Sequence, residues 1–362
     1  MLQDDITKIG LRKRMALEVW RRMVSNAIIE HPLRQLFWEC TLRCNLHCRH
    51  CGSDCHTHSS THDMPLEDFL RVLDSVSHHT DPHKVFVILT GGEPLMRKDL
   101  EVCGREIYRR GFPWGMVSNG LALTPERFAK LREAGLHSIT LSLDGLEQDH
   151  NWMRGNPNSF KTVDQAIGML VKADDIIFDI VTCVNRRNYS QLGRIRKYLI
   201  VKGVKAWRLF SVFPVGRAAL DPMMHLEKNE YRGMMDFIRE TRKANEIKAS
   251  YGCEGFLGNL EGEVRDNFFI CRAGITVGSV LSDGSISACP SIRSGYHQGN
   301  IYQDDFMEVW QKRFSPFRDR EWKRNGECKD CRFFKYCQGN GMHLRDADGN
   351  LLFCHLKNWE LE

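Results

Sequence analysis

Between Gln35 and about Phe213 the chain alternates short β-rich runs with longer amphipathic stretches. The runs QLFWEC, KVFVILT, WGMVSN, SITLSLD, FDIVTCV and AWRLFSVF read as six strands. The patterns PLEDFLRVLDSVSHH, KDLEVCGREIYRR, TPERFAKLREAG, FKTVDQAIGMLVKA and QLGRIRKYLIVKG read as the helices between them, and NEYRGMMDFIRETRKAN follows the last strand. Several of these open on Pro, Thr or Asn and close before Gly, as helix boundaries do. Alternation at roughly 35 residues per unit builds a parallel sheet with crossover helices. The predicted class is therefore α/β, with a partial (β/α)6 TIM-like barrel; a full eight-stranded barrel needs about 250 residues, and the alternation fades too soon for that.

Beyond about Ala249 the pattern changes to Gly, Cys and short turns such as SDGS and GNGM. Residues 34–248 are thus expected to form the barrel, and residues 249–362 a small cysteine-rich α+β domain held by something other than a large apolar core, for which metal centres would serve. Residues 1–33 contain a basic amphipathic helix, LRKRMALEVWRRMVSNAI, with Leu11, Met15, Val19, Met23 and Ala27 on one face. That face is expected to pack across one end of the barrel; docking to a membrane surface or a partner is the alternative.

Composition changes this picture little. A chain of 362 residues with 42% hydrophobic and 27% charged residues is ordinary for a globular protein of one large or two moderate domains. The net charge of +5 is spread without a one-sign block, which argues against a nucleic-acid partner. No apolar run reaches the roughly 18 residues of a membrane span, and MLQDDITKIG lacks the shape of a signal peptide, so a cytoplasmic protein is expected. In that reducing setting the 14 cysteines point to metal binding or redox chemistry rather than disulfides. Five lie between residues 40 and 55, and seven more fall at or after Cys253.

The first cluster, CTLRCNLHCRHCGSDC, contains Cys44-x3-Cys48-x2-Cys51 directly after the first predicted strand. Thiolates at this density hold zinc or an iron-sulfur cluster. Three cysteines on a four-iron cluster leave one iron open to a second molecule. RCNLHCRHC resembles the signature of the radical S-adenosylmethionine (radical SAM) superfamily, C-x3-C-x-aromatic-C after the first barrel strand, with His50 in the aromatic position. ILTGGEPLM at the end of strand two is similar to the same family. The resemblance implies a [4Fe-4S] cluster on Cys44, Cys48 and Cys51 whose open iron chelates S-adenosylmethionine. It implies that Gly91, Gly92, Glu93 and Pro94 bind the methionine amino group, and that cleavage of the sulfonium yields a 5′-deoxyadenosyl radical. Ser118, Asn119, Ser142, Asp144, Arg154 and Asn185 lie at or near other strand ends, where hydroxyl, amide, carboxylate and guanidinium groups suit the cofactor's polar ends. Taken singly, each is more often a turn or cap residue; their shared place at the barrel mouth favours contact with the cofactor, which the resemblance also implies. Cys40 and Cys55 read as bystanders or as residues supporting the ligands from behind, and Cys103 and Cys183 as buried small hydrophobes.

The C-terminal pattern Cys271-x12-Gly284-x4-Cys289, Cys328-x2-Cys331-x5-Cys337 and Cys354 looks like the SPASM extension of radical SAM enzymes, which binds auxiliary iron-sulfur clusters. Its seventh cysteine position is Gly341 here. The resemblance implies one complete four-cysteine site from Cys328, Cys331, Cys337 and Cys354, for which zinc is the alternative occupant. It implies a second, incomplete one from Cys271, Cys289 and Cys253. The incomplete cluster is expected to have an open iron for substrate, with a non-cysteine ligand such as His343, or no cluster, as alternatives.

By this resemblance the protein is a radical SAM enzyme, an oxidoreductase or maturase that abstracts hydrogen from a peptide or protein substrate. An external electron donor such as flavodoxin or ferredoxin, and a separate substrate-recognition protein, would be its partners. Two family features are missing: Pro290 stands where the sulfatase-maturing branch has an Asp base after the cysteine, and residues 1–33 are too short for a winged-helix leader module. The catalytic acid or base is not identified. A small-molecule substrate, a non-catalytic iron-sulfur electron carrier and a zinc-bound structural module are the competing readings.

Overall fold

The computed structural model describes residues 5–252, 254–292 and 295–359. The chain begins with α1 (Leu11–Glu30) and β1 (Gln35–Thr41), then α2 (Leu66–Ser77), β2 (Phe86–Gly91), α3 (Leu100–Arg109), β3 (Trp114–Ser118), α4 (Pro125–Glu133) and β4 (Leu136–Ser142). It continues through α5 (Glu147–Arg154), α6 (Ser159–Leu170), β5 (Ile177–Val184), α7 (Arg186–Tyr189), α8 (Leu192–Lys202), β6 (Ala206–Ser211), α9 (Lys228–Ala244) and β7 (Lys248–Tyr251). The remainder holds β8 (Val277–Val280), β9 (Ser285–Ser287), β10 (Gly299–Asn300), α10 (Phe306–Lys312), α11 (Ser315–Arg318) and α12 (Phe334–Cys337). The ends of β1 to β6 lie within two residues of those expected from the hydrophobic pattern.

Strands β1 to β7 lie side by side in chain order, each parallel to the next, with Trp38 opposite Leu89 and Leu141 opposite Ile180 in the register. The two edges of the sheet do not meet, so the barrel is partial. Local chemistry sets the turns. Thr124 caps α4 by accepting from the Arg127 N–H at 3.2 Å, with Pro125 at the first helical position. Gly203 ends α8 in the left-handed region at φ +85°. Outside the sheet Trp38 stacks on Phe69 of α2 at 4.3 Å, and Trp114 donates to the Ala134 carbonyl at 3.1 Å, so the helix layer is locked by rings as well as aliphatics.

The sheet extends past the barrel on both sides. The division expected at 248/249 falls inside β7, which pairs with β6. On the opposite edge β8 pairs parallel with β1, and β9 and β10 continue from it antiparallel. Buried Glu39 of β1 accepts from the Ser282 N–H at 3.2 Å and its hydroxyl at 3.1 Å, tying the two parts together. The expectation of a C-terminal part without a large apolar core is corrected here. Phe256, Leu260, Phe269, Phe306, Trp310, Phe314 and Phe317 are buried in the same apolar cluster as the barrel. These residues sit singly in turns and short helices, where no period reveals them.

The N-terminal helix is also corrected. Leu11, Met15, Val19 and Met23 are 71%, 62%, 60% and 57% exposed, whereas Leu17 and Val24 on the opposite side are buried. The buried face leans on the C-terminal part rather than across a barrel end: Trp20 donates to the Phe269 carbonyl at 3.2 Å, and Glu18 accepts from Tyr336 at 2.7 Å. Lys13 pairs with Glu263 at 2.8 Å.

Candidate active site

The C-terminal ends of β1 to β6 converge on the loop that follows β1. That loop folds back on itself through the Cys44 N–H, which donates to the His56 carbonyl at 2.8 Å. Cys44, Leu46, Cys48 and Cys55 are buried together, with Cys51 packed beside them. The structure therefore brings the expected triplet into one pocket and places Cys55 against it. Of its two expected roles Cys55 takes the supporting one, since its hydrogen bonds to the Cys51 sulfur help hold that thiol down to about 5. Burial pushes Cys44 in the other direction, up to about 12. Cys40 lies apart in the core, its thiol donating to the Thr90 carbonyl at 3.4 Å.

Donors approach two sulfurs of the triplet. Asn119 Nδ2 is 3.9 Å from Cys44 Sγ, and Arg154 Nη1 is 3.6 Å from Cys48 Sγ. N–H donors aimed at sulfur are what thiolate ligands of an iron-sulfur cluster need around them, so the donor set fits that group. Metal binding would also supply the positive charge that makes a buried thiol give up its proton.

The glycines at the end of β2 have a reason that lies in the chain itself. A Cβ on Gly91, at φ +132°, would fall 2.0 Å from the Thr41 carbonyl oxygen, and one on Gly92 would fall 2.3 Å from that of Arg43. The backbone there donates to the cluster loop, from Gly92 to Thr41 at 2.8 Å and from Glu93 to Arg43 at 2.9 Å. Glu93 is buried and spends its carboxylate on protein donors: Leu95 N at 3.1 Å, Ser118 Oγ at 2.8 Å and Asn119 N at 2.7 Å. Desolvation raises its carboxyl above the ordinary value, and these three donors oppose that. Pro94 starts the turn beyond it.

Behind the cysteines lies a buried ion pair. Asp144 and Arg154 Nε are 2.7 Å apart, with 0% and 8% of their side chains exposed. Asp144 also accepts from the Cys183 N–H at 2.9 Å. Despite desolvation, the Arg154 charge holds the Asp144 carboxyl below its usual range. Among the described residues, His50, Asp144 and Cys183 offer ligand atoms within 4.8 Å of one another, and His50 Nδ1 is buried without a hydrogen-bond partner. Burial pushes His50 down to about 4 and His150 to about 3, so both rings are neutral at pH 7. Cys183 was expected to be a plain core residue. Its only sequence signal is its place near the end of β5.

The other strand-end residues divide. Ser142 is half-buried at the last position of β4. Asn185 caps α7, its side-chain oxygen accepting from Arg187 N at 3.0 Å and Asn188 N at 3.2 Å. Arg49 and Arg187 both stack on Trp152, each 4.6 Å from the ring, and Arg49 is exposed there.

In the C-terminal part Cys328 and Cys331 sit on one turn, with the Cys331 N–H donating to the Cys328 carbonyl at 3.3 Å. Arg345 Nη2 is 3.4 Å from Cys328 Sγ, and the charges of Cys328 and Cys354 bear on Cys337. Cys271 is buried, and its sulfur accepts from the Met342 N–H at 3.5 Å. Arg320 and Lys323, both buried, lower its thiol against the effect of burial. Cys289 is half-buried after β9, and the expected ligand Cys253 lies outside the described residues.

Comparison with known proteins matches two regions of the chain. Residues 38–199 match the radical SAM superfamily, and residues 271–332 match the SPASM iron-sulfur cluster-binding domain. The chain is 28% identical over 327 residues to the AdoMet-dependent heme synthase of Oleidesulfovibrio alaskensis, spanning 84% of this chain and 82% of that one. It is 28% identical over 327 residues to the mycofactocin maturase MftC of Mycolicibacterium smegmatis, spanning 87% and 79%. Its fold is shared with Streptococcus suis SuiB bound to S-adenosylmethionine at a TM-score of 0.67 and 16% identity, over 85% of this chain and 72% of that one.

Proposed function

The chain is a radical SAM enzyme carrying a SPASM iron-sulfur cluster-binding domain, and we propose that it abstracts a hydrogen atom from a peptide or protein substrate held at the barrel mouth. The carrying observation is the pocket that gathers Cys44, Cys48 and Cys51, with Asn119 and Arg154 donating to its sulfurs. Those three thiolates would hold a [4Fe-4S] cluster and leave its fourth position to S-adenosylmethionine. Together the bound groups supply one-electron chemistry that releases a 5′-deoxyadenosyl radical.

The chain's own residues then position and shield. The backbone edge at Gly91, Gly92 and Pro94, with Ser142, faces the cofactor. Glu93 braces that edge by joining β2 to β3 through Ser118 and Asn119. Asp144 and Asn185 hold β4 and β5 in place through Arg154, the Cys183 N–H and α7. Arg154 bridges the cluster loop to β4. Cys328, Cys331, Cys337 and Cys354 would hold one auxiliary cluster, and Cys271, Cys289 and Cys253 part of a second. An external donor of the flavodoxin or ferredoxin kind would supply electrons, and a separate recognition protein would present the substrate.

The relative named a maturase supports a peptide substrate. A second reading, a small tetrapyrrole, is favoured by the relatives named heme synthase and Fe-coproporphyrin III synthase. The test is anaerobic reconstitution, reduction in the presence of S-adenosylmethionine, and chromatographic assay for 5′-deoxyadenosine. Replacing Cys44, Cys48 and Cys51 by Ala should abolish that product. Cys328→Ala should spare most of the uncoupled cleavage while impairing substrate turnover. Consumption of added iron-coproporphyrin III would select the tetrapyrrole reading. Transfer of deuterium to 5′-deoxyadenosine from labelled proteins of neighbouring genes would select the peptide one.

A further inference from the structure

The incomplete auxiliary site has a side chain standing where its missing thiolate would be. The pattern places a cysteine at position 341, which is Gly341 here. A Cβ built on Gly341 would fall 2.7 Å from Cε1 and 3.1 Å from Nδ1 of His343 and 2.9 Å from the Glu254 carbonyl oxygen, so the imidazole, with that carbonyl, occupies the space that a side chain at 341 would enter. That space adjoins the cysteine group in question, because the next residue, Met342, gives its N–H to Cys271 Sγ at 3.5 Å.

The ring is held but not satisfied. Phe213, beyond β6 at the barrel mouth, packs on it at 4.3 Å between ring centres. Although His343 as a residue is only partly buried, its Nε2 is covered and has no hydrogen-bond partner among the described residues. Buried polar atoms are normally paired, and a covered neutral imidazole nitrogen without a partner is of the kind that ligates metals. The surroundings call for negative charge as well. Lys323 Nζ is buried and donates to the carbonyls of Asn340 at 3.1 Å and Gln338 at 3.4 Å. Arg320 is buried and donates to the carbonyls of Phe317 at 2.7 Å and Cys271 at 2.6 Å. Carbonyls satisfy the hydrogens of these two cations without neutralising them. A thiolate-ligated cluster, which is anionic overall, would do so.

We propose that His343 supplies the nitrogen ligand of the auxiliary iron-sulfur cluster whose cysteine is replaced by Gly341. This rests on the reading that Cys271 and Cys289 belong to that cluster. It replaces the expectation of an open iron: the site is complete, with one histidine, and substrate does not bind to this cluster's iron.

The test uses full-length protein with Cys44, Cys48 and Cys51 changed to Ala, so that only the auxiliary clusters contribute. After anaerobic reconstitution, about eight iron atoms per chain are expected, two [4Fe-4S] clusters. Pulsed electron paramagnetic resonance of the reduced protein should show a strongly coupled nitrogen whose frequencies change when histidine is labelled with nitrogen-15. In His343→Ala that coupling should vanish. In the double variant Gly341→Cys/His343→Ala, a thiolate enters the space left by the ring with a small shift at the Glu254 carbonyl, and the iron count should return without the nitrogen coupling. That recovery separates a lost ligand from a misfolded chain. Absence of the coupling in the parent protein, or its persistence in His343→Ala, would overturn the proposal. An iron count of about four in the parent would sink the second cluster itself. Neither result bears on 5′-deoxyadenosine formation by the wild-type enzyme, which tests the proposed function separately.

Discussion

At the scale of single residues, the barrel mouth depends on buried charges that are paired. Arg154→Ala would leave Asp144 ionised and alone among buried groups, a change that typically costs about 3–5 kcal/mol. Denaturation of the reconstituted protein should show that loss, together with weaker retention of iron at the first cluster. The neutral histidines set a pH dependence. His50 and His150 titrate near 6.5 when unfolded but near 4 and 3 in the fold, because burial disfavours their charged forms. The unfolded chain therefore binds these protons first. Stability present above pH 6.5 should drain as pH falls toward 3, and Asp144 adds a further loss below its ordinary value of 3.8. His150→Asn should flatten the decline between pH 7 and 5 in denaturant titrations. Equal slopes for the two proteins would show that His150 contributes nothing to it.

At the scale of elements, two segments show why period alone misleads. Helix α1 carries two apolar faces, and the longer stripe, Leu11 to Met23 at every fourth residue, is the exposed one. The buried face is Leu17, Trp20, Val24 and Ile28, which is equally helical in spacing but is interrupted by the charges that pair across the contact. Leu17→Ala should cost about 2–5 kcal/mol. Met15→Ser should stay within about 0.5 kcal/mol. Thermal unfolding of the two variants distinguishes the faces. The β2 end is the second case. Gly92→Ala would press a Cβ into the Arg43 carbonyl, 2.3 Å away, and should lower iron content at the first cluster while circular dichroism is retained. Normal iron loading in that variant would show that the loop adjusts.

At the scale of the whole molecule, the C-terminal part completes the barrel as well as following it. β8 covers the edge of β1, and Trp310 of α10 donates to the His31 carbonyl at 3.1 Å just before that strand. A fragment of residues 34–248 would expose β1 as an unpaired edge with its flanking apolar residues bare, and it should aggregate where the full chain stays monodisperse in sedimentation. The same packing places Phe213 at the barrel mouth against His343 of the cysteine-rich part. The barrel mouth and the cysteine-rich part thus touch through these two rings.

What could be read from the chain alone was whatever local chemistry determines. Strands β1 to β6 and their helices follow from hydrophobic period and caps, because each forms within its own segment. The triplet Cys44, Cys48 and Cys51 follows from spacing on one loop. Tertiary structure decided what depends on residues far apart in the chain. It decided which face of α1 is covered, that the sheet continues into β8, and that Glu93 serves protein donors. It also decided which of two roles Cys55 takes beside Cys51, and that Cys183 lies next to His50 and Asp144. The gap at Gly341 was visible as a missing thiolate and His343 as one candidate to fill it; choosing the imidazole over an open iron depends on how the turn folds back, which no spacing encodes.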